Sequence, residues 1–193
     1  MFMNKIVFDI ETKNSFADVG RGDITKLDIS LLVIYNYTTD SYQSFVEEEF
    51  KDLWPILEKA DLLIGFNSDF FDIPILNKYY SGDLTKIKSV DLLKEIKKSY
   101  GKMLPLDLLA AGTLGTNKSG HGLEALRWWR EGQIDKIRAY CQQDVKITKD
   151  LYDFALQNGY LQYKVLNDVQ KIPLDTSQWE QKIDSGINLT MPW

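Results

Sequence analysis

An almost wholly apolar run at residues 62–66 is the feature that most constrains the fold of this chain. A strand that is apolar on both faces must be covered on both sides, as the inner strands of a helix-flanked sheet are. Around this run the apolar spacing switches between strand and helix periods, in the order βββαβαβ followed by helices. The sequence therefore predicts an α/β fold, with a mixed β-sheet of about five strands, one antiparallel, and α-helices on both faces.

The individual elements are predicted from β-branched runs, turn residues and helical spacing. They are strands at 5–11, 30–37, 42–46, 62–66 and about 87–90, and helices at 50–59, about 69–80, 91–100, 105–112, 122–130 and 133–157. The turn-prone residues 38–41 make the second and third strands a hairpin. Residues 158–193 have weaker periodicity, which favours a packed tail or an extra edge element over a second domain.

Composition says more about domain number and cellular location than about function. The chain has 193 residues, enough for one domain with a core, and no apolar run of the roughly 20 residues that span a bilayer. With no secretory signal before Asp9 and a single cysteine, Cys141, we expect no membrane association and a cytoplasmic location. The net charge of −5 weakly disfavours nucleic acid as a partner. Six lysines at 86–102 form a basic stretch. Such a stretch is more often a solvated helix face than a binding surface.

The first candidate site lies at the end of the opening strand, where Asp9 and Glu11 flank Ile10. Side chains alternate along a strand, so both carboxylates are predicted to point to one face. Adjacent carboxylates repel each other, and their burial is unfavourable unless a cation neutralises them. The pattern indicates a hard-cation site such as Mg²⁺, although acids are also common where a strand end emerges into solvent.

Two further signals follow along the chain. Asn67, Phe71 and Asp72 come directly after the apolar strand, although Asp72 also suits the first turn of a capped helix. Tyr140 and Asp144 are four residues apart and share a helical face. Tyr140 can then orient a water held by a metal that Asp144 ligates. Taken alone, an ordinary helix with a half-buried tyrosine explains this pair better.

Taken together and in this order, the three motifs resemble those of the DEDD 3′-5′ exonucleases of the RNase H-like superfamily. The matching segments are 8–12, 67–74 and 140–144, and the tyrosine in the last one is typical of the DEDDy subgroup. The sequence is similar to the proofreading domain of family-B DNA polymerases and to small bacterial ribonuclease-H-like predicted exonucleases. The resemblance predicts an RNase H-like exonuclease domain at 1–157, with 158–193 as a C-terminal tail packed on it.

The resemblance implies hydrolysis of terminal phosphodiester bonds at single-stranded DNA or RNA 3′ ends, with two divalent cations, Mg²⁺ or Mn²⁺. It implies that four acids bind the metals and that Tyr140 positions the attacking water. The implied metal ligands are Asp9, Glu11, Asp72 and Asp144. The expected substrate contacts are Thr12, Asn67, Phe71 and Lys118, with Phe16 over the cleft and His121 approaching phosphate beside Lys118.

Two other functions fit the same residues. One is a non-catalytic RNase H-like module with a nucleic-acid-binding or structural role, and the other is an RNase H-like endonuclease. Because no polymerase or helicase domain is attached, a polymerase or helicase partner is expected to act in trans. The sequence leaves the oligomeric state open. Cys141 is expected to pack inward, and Trp128 and Trp129 to anchor their helix to the core.

Overall fold

The computed structural model describes residues 3–20, 22–116, 122–165 and 168–181. Five strands form a mixed sheet in the order β3-β2-β1-β4-β5. They are β1 (Lys5–Thr12), β2 (Ile29–Asn36), β3 (Ser41–Phe45), β4 (Leu62–Gly65) and β5 (Ser89–Asp91). β2 runs antiparallel to both of its neighbours, whereas β1, β4 and β5 are parallel. The predicted mixed sheet with one antiparallel strand is confirmed.

Seven α-helices occur in the described part of the chain. They are α1 (Phe16–Val19), α2 (Phe50–Leu57), α3 (Asp72–Leu76), α4 (Leu92–Tyr100), α5 (Leu106–Leu109), α6 (Gly122–Arg130) and α7 (Ile134–Asn158). α5 continues into a π-helical stretch, Ala110–Leu114. α3 is shorter than predicted, because Asn77 ends it and accepts the backbone N–H of Leu84 at 2.9 Å. Over the described ranges, no helix combines the length and apolar content needed to cross a bilayer.

Alternation along β1 divides the core into two layers, one on each face of the sheet. Ile6, Phe8 and Ile10 belong to a cluster with the apolar residues of α2 and α3. Val7, between them, faces the opposite layer, which contains the buried side of α7. Helices therefore cover both faces, as predicted. Since Asp9 has the same strand parity as Val7, its side chain is directed to the α7 layer.

The C-terminal segment forms a hairpin of its own, β6 (Tyr160–Val165) and β7 (Asp168–Pro173). It makes a separate two-stranded sheet and does not add a strand to the main sheet. Leu161 and Ile172 are fully buried in the α7 layer. A Cβ on Gly112 would lie 2.4 Å from the Cα of Tyr163, so only glycine permits this close approach. The division of the chain at residue 157 stays a prediction.

Five of the six lysines in the stretch at 86–102 are exposed, but Lys88 and Lys94 also have specific partners. Lys88 is engaged with the C-terminal segment, donating from Nζ to the carbonyl oxygens of Gln178 and Gln181 at 2.6 and 2.7 Å. Lys94 points elsewhere and lies 2.6 Å from the Asp69 carboxylate. Lys88 and Lys94 therefore serve different parts of the molecule.

Candidate metal centre

Three of the four predicted acids meet beside the carboxyl-terminal half of β1. Asp9 and Glu11 come from β1 and Asp144 from α7, and one carboxylate oxygen from each lies within 4.8 Å of the others. Asp9 and Glu11 are half-buried, and Asp144 is 5% exposed. Grouped carboxylates repel each other, and an all-oxygen donor set suits hard divalent cations. The residues present therefore fit a metal ion.

α7 is fixed against β1 at this point by Cys141. The thiol is fully buried, and its Sγ donates towards the Asp9 carbonyl oxygen at 3.3 Å and Oδ2 at 3.4 Å. Burial and then the charge of Asp9 raise the pKa of Cys141 well above its ordinary value, so the thiol keeps the proton it donates. The predicted inward packing of Cys141 is confirmed, while its contact with Asp9 was not foreseen.

Tyr140 lies one helical turn before Asp144 and is 5% exposed. Its ring meets that of Trp128 edge-on, with centroids 6.0 Å apart. Trp128 and Trp129 both pack against the α7 layer of the core, as predicted. Packing from α6 therefore limits the movement of Tyr140 beside the acid cluster.

Asp72 approaches β1 from the other layer of the molecule. The pairing of β4 with β1 ends at Val7, and beyond that point Asp72 Oδ1 accepts the backbone N–H of Ile10 at 3.1 Å. Burial, and to a lesser extent the charge of Asp91, raise the pKa of Asp72 to about 7, against the opposing effect of the Ile10 hydrogen bond. Asp72 is not one of the three clustered acids, so its role as a ligand stays a prediction.

The segment between β4 and α3 is held by Asp91, at the end of β5. Asp91 is 4% exposed and accepts the N–H groups of Asn67 at 2.8 Å and Asp69 at 3.1 Å. The same carboxylate caps α4 through the N–H groups of Leu93 and Lys94. Asp91 was missed as a site residue, although an acid between a strand and a helix is a recognisable capping signal.

The side chain of Ser68 lies close to the backbone of Gly65 in the turn that begins this segment. A Cβ added to Gly65 would lie 2.3 Å from Ser68 Oγ and 2.4 Å from Ser68 Cβ. Two residues on, Asn67 adopts a left-handed conformation with φ of 63°, which asparagine tolerates better than most residues. Glycine at position 65 and asparagine at position 67 thus suit the path that brings the chain back towards Asp72.

The predicted substrate contacts lie on two sides of the acid cluster. On one side a cleft of about 440 Å³ is lined by Glu11, Thr12, Phe16 and Phe71, and the two phenylalanine rings meet edge-on with centroids 6.3 Å apart. The Thr12 hydroxyl donates to a backbone carbonyl within the turn that follows β1, at 2.8 Å.

Asn67 lies on the other side of the cluster. It lines a cleft of about 450 Å³ together with Asp9 and Asp144. Lys118 and His121 lie outside the described residues. The structure therefore brings Asn67 and the two phenylalanines to the acid cluster, but into different clefts.

The sheet order, the two helical layers and the acids on β1 and α7 define an RNase H-like α/β domain. The model of the RNase_H superfamily matches residues 6–156, and the chain belongs to that superfamily. No curated protein matches the sequence.

A similar solved structure is the family B DNA polymerase from the hyperthermophilic archaeon Pyrobaculum calidifontis, with a TM-score of 0.60 and 17% sequence identity. The similarity covers 81% of this chain but 25% of the polymerase chain. The chain therefore spans about a quarter of that protein, and at this identity the likeness concerns the fold.

Proposed function

We propose that the protein is a metal-dependent 3′-5′ exonuclease that hydrolyses terminal phosphodiester bonds of single-stranded nucleic acid. The observation that carries the proposal is the convergence of Asp9, Glu11 and Asp144, with ligand atoms within 4.8 Å of one another. Membership of the RNase_H superfamily supports a nuclease, and the fold shared with a polymerase supports action on polynucleotides. We place the protein in the cytoplasm and leave open whether a polymerase or helicase acts with it in trans.

Three of the four proposed ligands have a distinct structural support. Asp9 is held by the Cys141 thiol, Asp144 by its place on the packed face of α7, and Asp72 by the Ile10 N–H. With Glu11, these acids are proposed to bind two divalent cations, Mg²⁺ or Mn²⁺. When bound, such ions lower the pKa of water and neutralise charge on the phosphate.

Tyr140 is proposed to position the attacking water. It lies on the same face of α7 as Asp144 and is held by the Trp128 ring. Free phenol has a pKa of about 10, so tyrosine is a poor general base at neutral pH. Orientation of the water, rather than removal of its proton, is therefore the role we assign.

Contacts to the terminal nucleotide are proposed for the residues beside the acids. Phe71 and Phe16 present ring edges and faces to the cleft next to Glu11, where a base can stack. Thr12 lies in the same cleft, and Asn67 across the acid cluster from it. Lys118 remains proposed as a phosphate contact on sequence grounds alone.

The test is degradation of single-stranded DNA and RNA, labelled at the 3′ or the 5′ end, with Mg²⁺, Mn²⁺ or EDTA. We expect stepwise shortening from the 3′ end that requires metal and is absent from an Asp9→Ala/Glu11→Ala variant. Label position distinguishes 3′-5′ from 5′-3′ removal, and the two nucleic acids reveal the preferred sugar.

A strand with a blocked 3′ end separates the alternatives. Cleavage of the blocked strand at internal positions would identify an endonuclease. Absence of cleavage and of metal binding by the folded protein would identify a non-catalytic module, which has no physical reason to gather three acids.

A further inference from the structure

A third cleft, of about 510 Å³, adjoins the metal centre along α4. It shares Asn67, Leu93 and Met103 with the cleft that contains Asp9 and Asp144. The two clefts are therefore adjacent, so a chain molecule bound at the acid cluster can reach the third cleft by passing these shared residues. We call this third cleft the α4 cleft; besides the shared residues its lining includes Phe70, Lys94 and Lys97.

Two large apolar side chains are exposed in the α4 cleft. Phe70 is 64% exposed and Met103 is 55% exposed, and they come from segments far apart in the sequence. Single exposed apolar residues are ordinary on protein surfaces, but two that converge on one cleft beside a candidate active site are characteristic of a binding surface. A flat phenyl ring and a thioether both make good contacts with flat aromatic ligands.

The charges of the α4 cleft are partly neutralised within the protein. Asp69 accepts from Lys94 Nζ at 2.6 Å and from the Ser89 hydroxyl at 2.6 Å. Asp91 is buried and accepts backbone N–H groups. Among the described residues Lys97 forms no ion pair, and its side chain is exposed. The cleft thus offers a ligand apolar surface together with a cation, Lys97, that has no ion-pair partner in the described part of the chain.

We propose that the α4 cleft binds the nucleotides of a single strand that lie beyond the reacting one, with a base stacked on Phe70 and Met103 and a phosphate beside Lys97. The inference rests on the proposed function and extends it to the path of the substrate. Stacking on aromatic side chains does not depend on net charge, which explains how a chain of net charge −5 binds a polyanion. A duplex needs a broad basic surface instead.

The experiment compares Phe70→Ala and Lys97→Glu with a matched control, Lys98→Glu. Lys98 lies on the same helix and is exposed, but its charge acts on Asp175 rather than in the cleft. For each protein the KM is measured for an oligonucleotide of eight residues and for the p-nitrophenyl ester of thymidine 5′-monophosphate, which carries one nucleotide. Melting temperatures check that all variants fold.

We expect Phe70→Ala and Lys97→Glu each to raise the ratio of oligonucleotide KM to ester KM about tenfold. Lys98→Glu should leave the ratio at the wild-type value. A ratio of oligonucleotide KM to ester KM that is unchanged in both cleft variants overturns the inference about the α4 cleft. Hydrolysis of the oligonucleotide by the wild type in that same experiment would still uphold the proposed function.

A binding measurement covers the case in which the wild type hydrolyses neither substrate. Fluorescence anisotropy of the labelled oligonucleotide is then recorded with Ca²⁺. Binding weakened by Phe70→Ala but not by Lys98→Glu upholds the cleft and refutes the exonuclease. Binding equal in all variants, or a cleft that binds an apolar peptide and no oligonucleotide, overturns the inference.

Discussion

The two ends of β1 treat acidic side chains in opposite ways. Where β1 begins, acids are matched with donors from this chain: Lys5 Nζ lies 2.6 Å from the Glu180 carboxylate, and Asp153 accepts from Tyr37 at 2.7 Å and from Lys149 at 2.9 Å. Where β1 ends, acids are gathered with other acids. The first arrangement is complete within the chain, whereas the second becomes favourable when a cation is added.

The same helix serves both ends, which makes the comparison direct. α7 carries Asp144 in the acid cluster and, further along, Asp150 in an ion pair with Lys146. Burial differs as well, since Asp144 is 5% exposed while the Asp150 side chain is 31% exposed. We therefore expect the surroundings of an acid on α7 to decide whether it stabilises the fold through an ion pair or binds a metal ion. The following substitutions test that expectation.

The largest effect is expected from Asp144→Asn, with Asp150→Asn as its control on the same helix. Loss of a metal ligand removes charge stabilisation of several kcal/mol, so exonuclease activity should fall about a thousandfold. Asp150→Asn loses an exposed ion pair and should stay within about twofold of wild type. Single-turnover cleavage of a 3′-labelled strand measures both. Similar losses of activity in the two variants would show that the acid cluster and the ion-paired acids do not differ in role.

Asp72→Asn should reduce activity about a hundredfold and yet stabilise the metal-free protein at neutral pH. The carboxyl of Asp72 has a pKa of about 7 in the folded protein and of about 4 in the unfolded chain. As the pH rises above about 4, the unfolded chain therefore loses the carboxyl proton while the folded protein keeps it. Wild-type stability therefore falls between about pH 4 and pH 7, and the asparagine variant avoids that loss, which is roughly 4 kcal/mol for a difference of about 3 pKa units.

Thermal melting in EDTA at pH 4.5 and pH 8 checks the Asp72 prediction. The advantage of the variant should be small at the lower pH and large at the higher one. An advantage of the same size at both pH values would show that ionisation of Asp72 is not its source.

Gly65→Ala tests the tight turn at the carboxyl end of β4. The added methyl group would meet Ser68 at 2.3–2.4 Å, so the turn must shift, at a cost of about 1–3 kcal/mol in the free energy of unfolding. Activity should fall with it, because the displaced segment leads to Asp72. Urea denaturation measures the loss. Adding Ser68→Gly should restore much of it, and failure of that rescue would point away from this contact.

The smallest effect is expected at the beginning of β1. Lys5 Nζ lies 4.3 Å from the centroid of the Tyr37 ring, in addition to its ion pair with Glu180. Lys5→Met should lower the free energy of unfolding by about 1 kcal/mol. Activity should remain within about twofold of wild type, because the proposed metal site lies at the other end of β1. A large loss of activity without loss of stability would show that the two ends are coupled.

Much of the fold could be predicted because its signals are local. The apolar run of β4 and the alternation of β1 each depend on a few neighbouring residues, and the structure has both. The alternation also predicted that Asp9 and Glu11 share a face, and the structure brings them together with Asp144. The order of the three motifs along the sequence is enough to indicate this convergence.

The features that the sequence did not reveal depend on contacts between distant segments. The β6–β7 hairpin is stabilised by burial of Leu161 and Ile172 against α7 and by the close approach at Gly112, none of which has a local pattern. The capping role of Asp91 is visible in the sequence, but its bond to the Asn67 N–H depends on the pairing of β4 with β5. Similarly, the α4 cleft joins Phe70 to Met103 across 33 positions of sequence.

The approach of Asp72 and Asp144 from opposite faces of the sheet has a consequence for the newly made chain. Asp144 reaches β1 with the α7 layer, whereas Asp72 arrives with α2 and α3 on the other side. An intermediate in which helices have docked on one face alone holds an incomplete set of the proposed ligands. Under the proposed function, hydrolysis would begin only after both layers have closed, and a nascent or partly unfolded copy would not cleave the nucleic acids around it.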